Sequence, residues 1–121
     1  MYQIYLLNLG DKFDTSNVTL MNTMFAGVGY KSTVFTLDLG EHFDTSKVTD
    51  MSVMFSGTGY SNSTLVLDLS DFTFDNVTSY TSMFYGFTST KTIYVANTTQ
   101  QSWLVDKGFS NVTSSNVLIK S

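Results

Sequence analysis

Asn8, Asp38 and Asp68 stand at one recurring point of the chain, each between two leucines. Carboxylates stacked at strand spacing repel one another, and a hard cation with oxygen ligands relieves that repulsion. The competing reading is a solvated row that keeps a sheet soluble, and no metal is expected here. Met51, Met54 and Phe55 belong to a repeated stripe that could line a soft-metal or peptide groove. At helical spacing in each repeat, the stripe is expected to be core instead. His42 is the one histidine, and Lys12 fills its place in an earlier copy. With no second histidine or cysteine beside it, His42 is expected at the surface, with no catalytic part. Asn-x-Thr triplets at Asn17, Asn76, Asn97 and Asn111 match glycosylation acceptors. Their short polar side chains are better read as caps for turns. Tyr30 and Tyr60 each follow a Gly-x-Gly. Aromatic rings on glycine-rich loops suit contact with a protein or a carbohydrate; the alternative folds each ring back over its own repeat.

Composition narrows the classes. The 121 residues include no cysteine, no proline and no arginine, and 34 are serine or threonine. A disulfide scaffold, a thiol nucleophile and a Cys-ligated zinc site are therefore excluded. A formal charge of −4 argues against nucleic acid and anionic membrane surfaces as partners. The apolar start, Tyr2 to Leu9, is about half the roughly 20 residues that a spanning helix needs, so no direct membrane insertion is expected. Ten Phe, seven Tyr and six Met are too many for a disordered chain.

The elements that must position the candidate residues come from an internal repeat. Leu37-Asp38-Leu39 through Phe43-Asp44-Thr45-Ser46, Val48-Thr49-Asp50-Met51 and Met54-Phe55-Ser56-Gly57 has a near copy thirty residues upstream, starting at Leu7. A third, shorter copy starts at Leu67. A period in this range signals stacked units that bury a shared core. Alternation in Val34–Leu39 and Leu65–Leu69 predicts a strand in each unit, and Val48, Met51 and Met54-Phe55 predict a short helix. Stacking would then set Leu37 on Leu67, Phe43 on Phe72 and Met54 on Met83. Thr92–Val95 reads as a further strand. Asn97-Thr98-Thr99 is placed to cap a helix from Gln100 to Lys107, with Gly108 stopping it. Asn116–Lys120 closes as a last strand.

These motifs resemble the BspA-like leucine-rich-repeat group of bacterial surface proteins and lipoproteins, whose unit runs roughly L-D-L-S-x-F-D-T-S-x-V-T-x-M-x-x-M-F-x-G. The third copy departs from it at Thr73-Phe74-Asp75-Asn76 and at Tyr80. The resemblance implies an extracellular protein used for adhesion or surface contact, at the cell surface or secreted, with no catalytic residues and no cofactor.

The expected fold is therefore α/β: a leucine-rich-repeat-like solenoid with a parallel β-sheet on one face and short helices on the other. It would comprise about three repeats (7–36, 37–66 and 67–91) and a C-terminal capping unit over 92–121, in one domain. The expected function is a non-enzymatic interaction module for a protein or glycan ligand, with a structural or oligomer-forming spacer as the alternative. Candidate contacts are Tyr30 and Tyr60 on the loops, and Thr36, Asp38, Val66, Asp68 and Tyr94 on the strand face. The N-terminal end has no capping unit, which leaves it open to a homo-oligomer contact.

Overall fold

A computed structural model describes residues Ile4 to Ser121. Five strands and one helix run in the order β1 (Ile4–Asn8), β2 (Val34–Asp38), β3 (Val66–Asp68), β4 (Thr92–Val95), α1 (Thr98–Asp106) and β5 (Val117–Ile119). All pairings are parallel, but they form two sheets, β1-β2 and β3-β4-β5. Ile4 pairs with Val34 and Asn8 with Asp38, so β1 and β2 are in register at the thirty-residue period. Tyr2 and Gln3, in the apolar start of the chain, lie outside the described residues.

The expected solenoid, with one sheet face and one helical face, is not what forms. Two short sheets replace the single sheet, and α1 is the one helix among the described residues. The sheet breaks between β2 and β3. Asn62 makes a local turn there: its side-chain oxygen accepts from Thr64 N–H at 3.2 Å, and its amide donates to the Phe35 carbonyl at 3.4 Å. Thr64 is the counterpart of Val34, the first residue of β2. A side chain that binds the nearby backbone competes with a ladder for the same groups, so β3 starts two residues late.

The repeat helices fail for a different reason. Met51, Val53, Phe55 and Gly57 donate their N–H groups to Ser79, Thr81, Met83 and Tyr85 of the third repeat, at 2.8–2.9 Å. Met21, Thr23, Phe25 and Gly27 donate likewise to the second. Donors committed between repeats cannot close bonds four residues back. Thr23, Val53 and Ser82 also hold φ near +60°, where a helix cannot continue and a β-branched residue is strained by about 1–3 kcal/mol. The helical period in Met-x-x-Met-Phe thus marks a chain of tight turns.

The core lies between the strands and these turns. Rings at equivalent positions stack: Phe43 on Phe72 at 5.4 Å, Phe25 on Phe55 at 5.7 Å and Phe55 on Phe84 at 5.5 Å. Met51, Met54 and Met83 are fully buried, so the methionine stripe is core. Each such side chain contributes about 1.5–3 kcal/mol of burial. Leu37 and Leu67 sit on strands of different sheets.

Threonine hydroxyls stitch one repeat to the next. Thr15 Oγ1 donates to the Asp44 carbonyl at 2.8 Å and accepts from Asp44 N–H at 2.6 Å. Thr45 does the same with Thr73, at 2.8 and 2.9 Å. A hydroxyl can serve both directions at once. In the third repeat Phe74 takes this place and stacks on Trp103 of α1 at 4.3 Å. Asn97 caps α1 by accepting from Gln100 N–H at 3.1 Å, and Gly108 follows the helix at φ +77°.

Candidate functional site

Tyr30 and Tyr60 come together. Their rings stack at 4.7 Å and 6°, and each is 47% exposed. Each ring also lies flat over a glycine of the next repeat. A Cβ on Gly57 would meet Tyr30 at 3.3 Å, and one on Gly86 would meet Tyr60 at the same distance. Both glycines have positive φ, so they supply a bend and a flat seat together. The rings thus fold back over the repeats, yet about half of each faces outward.

Tyr85, 74% exposed, completes a shallow cleft of about 350 Å³ with Tyr30, Tyr60 and the glycines beneath them. Lys91 anchors the platform from inside. It is buried, its ammonium donates to the Tyr60 carbonyl at 3.1 Å and the Gly59 carbonyl at 3.4 Å, and it sits 5.4 Å from the Tyr60 ring centre. Burial holds its pKa below the usual lysine value. In the repeat before, the Tyr30 carbonyl accepts from Ser61 N–H. The third repeat lacks that loop, and the lysine ammonium takes over its donor role.

The strand-face candidates gather along the break between the sheets. Thr36, Val66 and Asp68 line a groove of about 360 Å³ with Asn62 and Thr64. Asp38 and Asp68 line a second one of about 360 Å³ with Asp71 and Lys120. Tyr94, half-buried on β4, pairs in register with Asp68 and lines neither groove. The row from Asn8 to Tyr94 is thus interrupted between Asp38 and Asp68. Its polar side chains are engaged locally, because Asn8, Asp38 and Asp68 accept from the N–H of Gly10, Gly40 and Ser70 at 2.7–3.0 Å. Asp68 also pairs with Lys120 at 2.5 Å. Partial burial works against its charge, but the hydrogen bonds from Lys120 and Ser70 prevail and hold its pKa below the ordinary value. Among the described residues, no group of three or more His, Asp or Glu is arranged to hold a metal ion. His42 is exposed on its turn.

Sequence reasoning missed Tyr85 and Lys91. Tyr85 carried a signal, since the other repeats place Ala26 and Ser56 there, next to the same glycine. Lys91 carried none: a lysine before a strand reads as solvated.

Neither the curated proteins nor the solved structures contain a match to this chain. A family model described as "Mycoplasma protein of unknown function, DUF285" matches residues 4–120, and the chain, with its thirty-residue repeat, belongs to that bacterial repeat family.

Proposed function

We propose that the chain is a non-enzymatic interaction module of a bacterial cell-surface or secreted protein, binding a protein or glycan ligand. The observation that carries this reading is the exposed Tyr30–Tyr60 stack with Tyr85 beside it. Rigid aromatic faces offer contact area at low cost in side-chain entropy, and the Lys91 anchor fixes the Tyr60 backbone in advance. Asp14, Asp38, Asp44, Asp50 and Asp68 are engaged in turns, and the Thr15 and Thr45 hydroxyls in joints between repeats. The closer likeness to BspA-like surface proteins belongs to the same proposal and rests on the Leu-Asp-Leu and Asp-Thr-Ser-x-Val-Thr motifs.

The test is a screen of the full chain against a glycan array and a panel of extracellular host proteins, repeated with Tyr30→Ala/Tyr60→Ala. A hit weakened tenfold or more in the double variant is expected. A hit that binds the variant equally well would move the site off the platform.

A spacer or assembly role is the second reading, and one observation favours it: among the described residues β1 pairs on one side alone, and Ile4 is 70% exposed.

A further inference from the structure

We infer that the cleft beside the tyrosine stack takes a proline-rich segment of another protein, held as a polyproline II helix running along the line of the repeats. The inference rests on the reading above, that this platform binds a ligand, and names the ligand it fits.

The spacing is the first argument. Gly27, Gly57 and Gly86 stand at equivalent places in three successive repeats, and all three line the cleft. One step between repeats is the 4.7 Å that separates the Tyr30 and Tyr60 rings, so the cleft covers two such steps. A polyproline II helix has three residues per turn and rises about 3.1 Å with each, which makes one turn roughly 9.3 Å long. Two repeat steps therefore match one turn, and the helix meets equivalent groups at the two ends of the cleft.

The hydrogen-bonding groups decide which kind of chain fits. Gly27 and Gly57 N–H donate to the Ser56 and Tyr85 carbonyls at 2.8 and 2.9 Å, and the two glycine carbonyls accept from Tyr30 and Tyr60 N–H at 3.1 and 3.2 Å. Ser56 and Tyr85 N–H are engaged too, with the Val53 and Ser82 carbonyls at 3.3 Å. An extended strand added here would find no open ladder edge, and its own N–H groups would go unanswered. Proline has no N–H to answer. Its carbonyl needs a donor, and the cleft supplies donors: the hydroxyls of Tyr30, Ser56, Tyr60 and Tyr85 have no hydrogen-bond partner among the described residues.

Charge and shape agree. No charged side chain lines the cleft, so an ionic ligand would lose water there without gaining a counter-charge. Proline rings are apolar and uncharged, and aromatic-lined grooves hold them because the helix is formed before it binds. A sugar ring would set its C–H groups on the electron-rich face of an aromatic ring. In Tyr30 and Tyr60 much of that face is already turned onto the neighbouring ring or onto Gly57 and Gly86. The 121 residues contain no proline, so a second copy of them does not bring the ligand.

The test uses an uncharged, fluorescently labelled peptide of about nine prolines, roughly three turns of the helix, and a Gly-Ser peptide of equal length. Both are titrated with the full chain. Saturable binding of the proline peptide alone is expected. Tyr85→Ala should weaken it about tenfold or more. Tyr85 is 74% exposed, so this variant keeps the fold, and an unchanged thermal midpoint verifies it. Absence of saturable proline binding overturns the inference. So does equal binding by wild type and Tyr85→Ala, or a Gly-Ser peptide that binds as well. If, in any of those cases, a hit from the glycan or protein screen still depends on Tyr30 and Tyr60, the platform reading stands and its ligand is reassigned. If every hit ignores these tyrosines, both fall together.

Discussion

The two ends of the molecule solve one problem differently. At the C-terminal end, the third repeat changes its residues to suit the helix that covers it. Phe74 stands where Thr45 stitches a repeat to its successor, and it meets Trp103 instead. Tyr80 stands where Met21 and Met51 are core, and packs edge-on against Trp103 and Phe109. At the N-terminal end no such change occurs. The first repeat keeps Met21, Phe25 and Thr15 as the second keeps Met51, Phe55 and Thr45. Among the described residues that end keeps apolar side chains exposed, Leu20 at 62%. Equivalent residues then differ in burial by position in the stack: Phe13 is 38% exposed, Phe43 3% and Phe72 1%.

That contrast gives the largest expected effect. Phe72→Ala should cost about 3–5 kcal/mol, the range for an aromatic residue removed from a packed core. Phe13→Ala, at the same repeat position on the open face, should cost about 1 kcal/mol or less. Urea unfolding of the two variants decides it. Equal losses would mean that Phe13 is as fully packed as its counterparts, and that the open end is not open.

Next comes Lys91, the substitute for a missing loop. Lys91→Ala leaves the Gly59 and Tyr60 carbonyls without their donor, at about 1–3 kcal/mol for buried groups so stranded. Lys31→Ala, an exposed lysine at the other end of the platform, should stay within about 0.5 kcal/mol. Because burial lowers the Lys91 pKa, the unfolded chain holds that proton more tightly than the folded one. The Lys91 contribution to stability should rise as pH climbs from the lowered folded value toward 10.5, a slope that Lys91→Met would remove. Thermal unfolding of wild type and variant from about pH 8 to about pH 10.5 measures it.

Much of this organisation was legible in the sequence. The repeat period, the strand segments, the capped C-terminal helix and the Phe43–Phe72 stack follow from spacing and composition. Two things did not. The Met-x-x-Met-Phe stripe has helical spacing, but a chain of turns whose donors point to the next repeat buries the same residues. Spacing reports which side chains share a face and is silent on where the backbone bonds go. The break between β2 and β3 hangs on one side chain, Asn62, whose turn competes with a ladder by a margin that pattern cannot weigh. For the candidate site, Tyr30 and Tyr60 were legible because they recur. Lys91 was not, because its role arises from residues that are absent around it.

A smaller effect belongs to the covered end alone. Asn97→Ala removes the side chain that accepts from Gln100 N–H and should cost about 1 kcal/mol, the usual loss for a helix cap. Asn97→Asp should restore it. If α1 is what seals the third repeat, the loss should appear as faster hydrogen exchange at Trp103 and Leu104, with the first repeat untouched. Faster exchange in both ends at once would instead mean that the stack unfolds as one unit, so that the cap supports every layer equally.

The smallest effect tests whether anything is indifferent to position in the stack. Asp14 and Asp44 are equivalent residues on the first and second repeats. In each, the N–H two residues on, at Ser16 and at Ser46, donates to the carboxylate at 2.8 and 2.7 Å. That backbone bond, with the serine hydroxyl assisting, lowers the pKa of both below 3.8. A carboxylate with a lowered folded pKa contributes stability that is present above its unfolded value and is lost as pH falls through the folded one. Asp14→Asn and Asp44→Asn should therefore blunt acid destabilisation below about pH 4 by the same small amount. Unfolding midpoints at about pH 2.5, 3.5 and 5 measure it. The largest cause is a turn within one repeat, so the charges of the neighbouring repeat, His42 beside Asp14 and Asp14 beside Asp44, should add little. A larger effect at Asp44 would show that even this local bond draws on the layer stacked against it, and that the difference between the two ends reaches the turns as well as the core.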